Sequence, residues 1–261
     1  MEDDRGLLVY GSEHRERGEV RIFEPPPPGA PPAALAITPG LLKSINEDAG
    51  GWSRRQGFSC YAVADAHFGA AASQVAVRLA LDLIGGAAGA SGAPTLRSFR
   101  DTLLECAVAI ERTLAGGDKP TTSETALLVV ASVPGRVLWG SVGDARLYAG
   151  GAGSFREITS PRSEYLGPSA RAREALEPLV QTGLLTAGDL GSGAPRLLLT
   201  TDGIPESRGT GGDDWSPGPI GALISPPLAV RAALGGLVEQ ALTRGGADNV
   251  CAILFEAESG G

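Results

Sequence analysis

Phe58-Ser59-Cys60-Tyr61-Ala62-Val63-Ala64-Asp65-Ala66-His67-Phe68-Gly69 is the stretch on which the fold turns. Seven apolar or small residues run unbroken into an acid, and one of only two histidines follows close behind. A run that short, bounded by polar residues, reads as a buried strand over Phe58–Ala64 ending at Asp65. Beyond it the spacing becomes helical. Val75, Leu79 and Leu83 share a face within residues 70–85, and Leu96, Phe99, Leu103, Ile110 and Leu114 form a stripe within 96–114. Both segments read as amphipathic helices that cover something apolar.

Downstream the pattern returns to strands. Thr125–Ser132 and Arg136–Ser141 flank the turn Val133-Pro134-Gly135, and Arg146–Ala149 and Phe155–Ile158 flank the glycine-rich Gly150–Gly153. Residues 159–195 are rich in Pro, Gly, Ser and charge, with one helix expected near 170–183. Arg196–Thr201 reads as a strand running into Asp202, 207–225 as loop, 228–243 as helix and Asn249–Glu256 as a last strand. Strands gathered in runs, not alternating with helices, predict an α+β fold with largely antiparallel sheets. At the start, Leu7–Tyr10 and Glu19–Phe23 read as short strands. The prolines at 25–28, 31 and 32 form a stiff, donor-poor segment. Residues 1–33 are therefore expected to be an N-terminal appendage and linker, and 34–261 the main domain.

The formal net charge is -8, from 30 acidic against 22 basic residues. That argues against a nucleic-acid or anionic-membrane partner, either of which needs a basic footprint. Three scattered cysteines, Cys60, Cys106 and Cys251, read as reduced thiols of a cytoplasmic protein. The start shows no secretory apolar core. No apolar run approaches the roughly 20 residues that span a bilayer.

Chemistry concentrates in four acidic clusters: Asn46-Glu47-Asp48, Asp65-Ala66-His67, Asp202-Gly203 and Asp248-Asn249. Each alone is an ordinary turn or cap. Together, each at the edge of an apolar segment, they are placed to converge at one end of a sheet. Converging carboxylates repel unless hard cations such as Mg²⁺ or Mn²⁺ lie among them. Other chemistries fit less well. Cys106 and Arg112 have thiol-phosphatase spacing but sit in a helical pattern. Neither a Gly-x-Ser-x-Gly elbow nor a Gly-Lys-Ser/Thr phosphate loop occurs.

Five segments carry a resemblance. Residues 61–69 resemble an apolar strand followed by Asp-Gly-His-x-Gly, and 43–49 resemble Arg-x-x-Asn-Glu-Asp. Residues 140–146 resemble Val-Gly-Asp-Ser-Arg, 197–203 resemble Leu-Leu-Leu-x-(Ser/Thr)-Asp-Gly, and 246–250 resemble Asp-Asn-(Ile/Val). Taken in chain order they are similar to the metal-dependent protein phosphatases of the protein phosphatase 2C (PPM) family, over roughly residues 34–256. The resemblance implies a four-layer α-β-β-α sandwich, two antiparallel sheets flanked by helices. It implies a Ser/Thr phosphoprotein phosphatase that hydrolyses phosphomonoesters with a metal-activated water at a binuclear Mn²⁺ or Mg²⁺ centre. Its substrates would be phosphoserine and phosphothreonine proteins of a Ser/Thr kinase pathway.

Carried over by position, Asp65 would bridge two ions, and Asp202 and Asp248 would complete the shell of one. Glu47 and the Ala66 carbonyl would serve the other, with Asp48 acting through bound water. Asp144 matches a ligand of a weaker third ion, His67 the general acid, and Lys43 an arginine that grips phosphate. Three residues depart from the pattern. Ala66 stands for glycine, which costs on the order of 1 kcal/mol if that backbone needs φ > 0. Phe68 replaces a small residue at the mouth of the site, and Lys43 lacks arginine's two-point grip. Ser123-Glu124-Thr125 stands where the family more often has Gly-Ser/Thr-Thr. Residues 159–195 match its variable flap. The alternative reading is a catalytically weak relative serving as a phosphoprotein-binding adaptor.

Overall fold

The computed structural model describes residues 6–24, 31–55, 57–91, 93–117, 121–151, 154–190, 195–208 and 215–258. The proline run at 25–28 lies outside them. The strands are β1 (Leu7–Tyr10), β2 (Arg21–Phe23), β3 (Ala33–Thr38), β4 (Ala49–Arg55), β5 (Phe58–His67), β6 (Glu124–Val133), β7 (Arg136–Val142), β8 (Arg146–Gly151), β9 (Ser154–Glu157), β10 (Gln181–Thr186), β11 (Arg196–Thr200) and β12 (Val250–Glu256). The helices are α1 (Ala71–Ser91), α2 (Leu96–Ala115), α3 (Arg173–Leu176), α4 (Ala187–Leu190), α5 (Pro217–Ile224) and α6 (Val230–Thr243).

The strands form two six-stranded sheets, ordered β1-β4-β5-β6-β7-β10 and β2-β3-β12-β11-β8-β9. Their strand pairs are antiparallel. Period-two alternation explains the layers. On β5, Cys60, Ala62, Ala64 and Ala66 pack with Ala72, Ala76 and Ala80 of α1. Small side chains on both surfaces let the helix lie close to the sheet. Tyr61 and Val63 face the other way, into a core shared with Leu35, Ile37, Leu197, Leu199, Ile253 and Phe255 of the second sheet. The rings of Tyr61 and Phe255 stack across that core, centroids 4.2 Å apart. Truncating a buried aromatic such as Phe255 to Ala would cost about 3–5 kcal/mol. Helices α5 and α6 cover the far side of the second sheet. Thr95 and Ser98 start α2 with a capping box.

Strand β1 pairs with β4 and β2 with β3, so residues 7–23 supply one edge strand to each sheet. The expected boundary at 33/34 falls inside β3, after its first residue, and β3 has β2 and β12 as neighbours. The intervening segment also braces the loop after β3. Gly11 N–H donates to Asp48 O at 2.8 Å, Gly18 N–H to Gly40 O at 2.8 Å, and Arg17 to Lys43 O at 3.2 Å. The helix expected near 170–183 shrinks to α3, because residues 181–186 pair with β7 as β10. The loop expected over 207–225 contains α5. No helix among the described residues is long and apolar enough to cross a membrane.

Candidate active site

The ends of β3, β5, β7 and β11 meet the beginnings of β4, β6, β8 and β12 at one edge of the double sheet. Asp65 has the same parity on β5 as Tyr61 and Val63, so it prolongs the inter-sheet face into that edge. Asp48 immediately precedes β4, Asp202 lies two residues beyond β11, Asp248 two before β12, and Asp144 between β7 and β8. Five acidic residues far apart in sequence thereby reach one place.

Asp48 is wholly buried and Asp65 is 7% exposed. The Asp65 carboxyl lies close to those of Asp48 and Asp202. Burial, then the neighbouring carboxylates, push Asp65 well above the usual carboxylate range. Burial likewise raises Asp48, against a hydrogen bond from the Thr201 hydroxyl at 2.8 Å. Asp202 is pushed up to about 9 by burial and by the charges of Asp65 and Asp248. These carboxylates share a proton-hungry site. Two of its oxygens, Asp48 Oδ1 and Asp144 Oδ1, are buried without a hydrogen-bond partner. Crowded carboxylates with orphaned oxygens are the donor set that hard divalent cations take. Among the described residues no three His, Cys, Asp or Glu side chains are already drawn into a closed coordination shell.

The remaining residues join through bonds. Lys43 Nζ lies 2.7 Å from Asp248 Oδ1. Burial lowers the Lys43 pKa, but its hydrogen bond to Asp248 and the charges of Asp248, Glu47 and Asp65 leave it raised overall. Glu47 Oε1 accepts from Gly69 N–H, and its carbonyl accepts from the Ser73 hydroxyl. His67, last residue of β5, pairs in register with Glu124 and meets the Tyr165 ring edge-on at 4.8 Å. Ala66 lies within β5 opposite Thr125 and carries no positive φ. The left-handed residue is Phe68, at φ 62° and 73% exposed, followed by Gly69 at φ 117°. The glycine-like backbone thus falls two positions after the one where strain was expected, and Ala66 is unstrained.

Several residues beside the acids hold the site together, although sequence reasoning assigned them no role. Asn249 accepts from Glu47 N–H at 2.9 Å and donates to Pro39 O at 3.1 Å and Ile45 O at 3.0 Å. One side chain therefore fixes the whole loop that bears Lys43, Glu47 and Asp48. Gly203 is required because a Cβ there would collide with the Asn249 carbonyl. In the Ser123-Glu124-Thr125 segment, the Ser123 hydroxyl donates to Gly69 O and accepts from Ala72 N–H at 3.1 Å. The Thr125 hydroxyl lies 2.7 Å from Asp65 O. Beside Asp144, Pro161, Arg162, Ser163 and Glu164 line an open depression of about 560 Å³.

Comparison with known proteins bears on this geometry. The catalytic domain of the serine threonine protein phosphatase PstP in complex with two manganese ions matches at a TM-score of 0.67 and 18% identity, covering 92% of this chain and all of that one. The Mycobacterium tuberculosis phosphatase PstP/Ppp matches at 0.65 and 20%, covering 87% and 98%. MsPP from Mycobacterium smegmatis, in complex with cacodylate, matches at 0.62 and 24%, covering 87% and 98%. At these identities the likeness is one of fold. No curated protein sequence matches the chain. A family model described as protein phosphatase 2C matches residues 43–215, most of the chain and the stretch holding most of the carboxylates above. The chain belongs to the protein phosphatase 2C family.

Proposed function

We propose that this protein is a metal-dependent Ser/Thr phosphoprotein phosphatase acting at a binuclear Mn²⁺ or Mg²⁺ centre, with a third, weaker ion at Asp144. The observation that carries the reading is the meeting of Asp48, Asp65 and Asp202, each held above the usual carboxylate range by burial and mutual repulsion. Carboxylates crowded out of water in this way either hold protons or take up cations, and hard cations would let them keep their charge. The two manganese ions of the similar PstP domain support the same donor set here. Asp65, Asp202, Asp248, Glu47 and the Ala66 carbonyl would hold the pair, with Asp48 acting through water. When bound, such ions activate water near neutral pH and neutralise phosphoryl charge.

The chain's own residues do the rest. Lys43, on an exposed loop, holds the phosphoryl oxygens as a point charge. His67 gives a proton to the departing serine or threonine oxygen. Asn249 and Thr201 keep Glu47 and Asp48 in place. Substrates are phosphoserine and phosphothreonine proteins of a Ser/Thr kinase pathway. The buried free thiols Cys60, Cys106 and Cys251 support a cytoplasmic setting. The test is turnover of p-nitrophenyl phosphate and of a phosphothreonine peptide with Mn²⁺, without it, and with EDTA. Metal-dependent turnover of both supports the reading. Absence of turnover at millimolar Mn²⁺ would leave the phosphoprotein-binding adaptor as the better account.

A further inference from the structure

Tyr165 lies in the stretch that matches the variable flap, yet it touches two working groups of the site. Its hydroxyl donates to Asp144 Oδ2 at 2.6 Å, a length typical of a hydrogen bond to an ionised carboxylate. Its ring stands edge-on to His67, with centroids 4.8 Å apart and planes at 80°. The second oxygen of Asp144, Oδ1, is buried with no partner. Room for the ring comes from Gly143, where a Cβ would lie 3.3 Å from Tyr165 Cδ1 and 2.6 Å from Ala126 Cβ.

The device that seats Tyr165 begins on α2. Glu111 is wholly buried. It accepts from Arg171 N–H at 2.6 Å, from Arg171 Nε at 2.7 Å and from Gly167 N–H at 3.4 Å. A second guanidinium nitrogen of Arg171 reaches both Glu111 and the Tyr165 carbonyl. Glu111 thus closes both ends of the loop 167–171, which turns at Ala170 with φ 48°. Leu166 and Thr125 exchange backbone hydrogen bonds of 2.8 and 2.9 Å, and the Thr125 hydroxyl sits against Asp65 O. A clamp that merely stabilised a loop would account for Glu111 and Arg171. It would not account for a hydroxyl delivered onto Asp144 and a ring edge onto His67 by the same clamped segment.

We propose that Tyr165 is a positioning residue of this site. It engages one oxygen of Asp144 and leaves the other for an ion, it fixes the tilt of His67, and the Glu111–Arg171 pair delivers it. Seating of the segment 161–171 and completion of the site are then one event. The proposal rests on the phosphatase reading above.

The test compares the full-length wild type with Tyr165→Phe, Tyr165→Leu, Glu111→Gln and the double variant Glu111→Gln/Tyr165→Phe. The readouts are Mn²⁺ calorimetry and steady-state kinetics on a phosphothreonine peptide and on p-nitrophenyl phosphate. Tyr165→Phe keeps the ring and loses only the hydrogen bond. It should leave the tight Mn²⁺ ions alone, weaken the loosest one about 10–100-fold, and lower kcat with little change in KM. Tyr165→Leu should add a further loss that is larger on the peptide than on the aryl ester. Glu111→Gln should weaken the loosest ion as well, and the double variant should be no worse than the weaker single one, because both act through the same bond.

A wild-type Mn²⁺ isotherm for Tyr165→Phe would overturn the proposal, as would losses of ion affinity that simply multiply in the double variant. If the wild type binds Mn²⁺ but hydrolyses neither substrate, the phosphatase reading fails while the isotherms still decide the role of Tyr165. A wild type that takes up no Mn²⁺ overturns both.

Discussion

Lys43 Nζ and Asp248 Oδ1 stand 2.7 Å apart, so the residue expected to grip phosphate is paired with a residue expected to hold an ion. Both side chains are about four-tenths exposed, and such a pair contributes at most about 1 kcal/mol. Its interest lies in competition. An ion at Asp248 must share or displace the ammonium, which is then freed toward a phosphoryl group. Lys43→Gln should therefore tighten Mn²⁺ binding several-fold by calorimetry while raising KM for p-nitrophenyl phosphate. Unchanged or weaker Mn²⁺ binding would show that the pair does not compete with the ion.

The metal-free protein should be least stable where its site carboxylates are most charged. A carboxylate whose folded pKa is raised binds its proton more tightly in the fold than in the unfolded chain. Its stabilising effect is thus full below the unfolded value of about 3.9 and is lost as pH rises toward the folded value. For Asp202 that window runs up to about 9. In EDTA, the melting temperature should fall between pH 5 and pH 8, and Mn²⁺ should remove most of that fall. Asp202→Asn should flatten the metal-free profile while cutting turnover by orders of magnitude. A metal-free protein equally stable across this range would mean that the carboxylates are not crowded in solution.

His67 and the aryl ester test the acid role. A nitrophenolate leaves readily without a proton, whereas a serine alkoxide does not, and general acid help is worth typically about 10²–10⁴-fold. His67→Ala should therefore slow a phosphoserine peptide far more than p-nitrophenyl phosphate. Equal losses on both substrates would reduce His67 to packing against Tyr165.

Truncation should be more damaging than the proline run implies. Deleting residues 1–24 removes β1 and β2 and exposes the edges of β4 and β3. It also removes the backbone bonds that brace Gly40 and Asp48. The truncated chain is expected to aggregate or to melt far below the full chain in a thermal scan. A soluble truncation with wild-type turnover would make the N-terminal strands dispensable.

Phe68 gives a backbone test at the mouth of the site. A bulky residue at φ 62° is strained by about 1–2 kcal/mol, and its ring is 73% exposed and so gains little from packing. Phe68→Gly should raise the melting temperature or leave it unchanged. A clear fall would show that the ring makes contacts worth more than the strain.

Strands β5, β6, β7 and β11, helices α1 and α2, and the gathering of Asp48, Asp65, Asp144, Asp202 and Asp248 at one end of the sheets were legible in the sequence, because apolar period and acid-tipped strand ends are local signals. Strand β4 was not. Its Gly50 and Gly51 weaken any strand pattern, yet both are demanded by neighbours: a Cβ at Gly51 would strike Leu7 O, and one at Gly50 the Cys251 thiol. Strand β3 is alanine-rich and lies between β2 and β12, so its pairing partners are far away in the chain or beyond a proline run. Strand β10, which the helix expected near 170–183 overlaps only at 181–183, was not legible because its place is set by β7, not by its own residues. The supporting groups Asn249, Thr201, Tyr165, Arg171 and Glu111 act through hydrogen bonds to distant parts of the chain, and such bonds leave no periodic trace.

The place of β12 has a consequence for biosynthesis. It lies between β3 and β11 and follows both in the chain, β3 by about two hundred residues. A nascent chain therefore holds β2 and β3 with one edge unsatisfied until residues 250–256 have left the ribosome. The sheet flanked by Asp202 and Asp248 cannot close before then. Such late, long-range pairing makes folding slow and leaves apolar strands waiting, which is the situation in which chaperones are engaged.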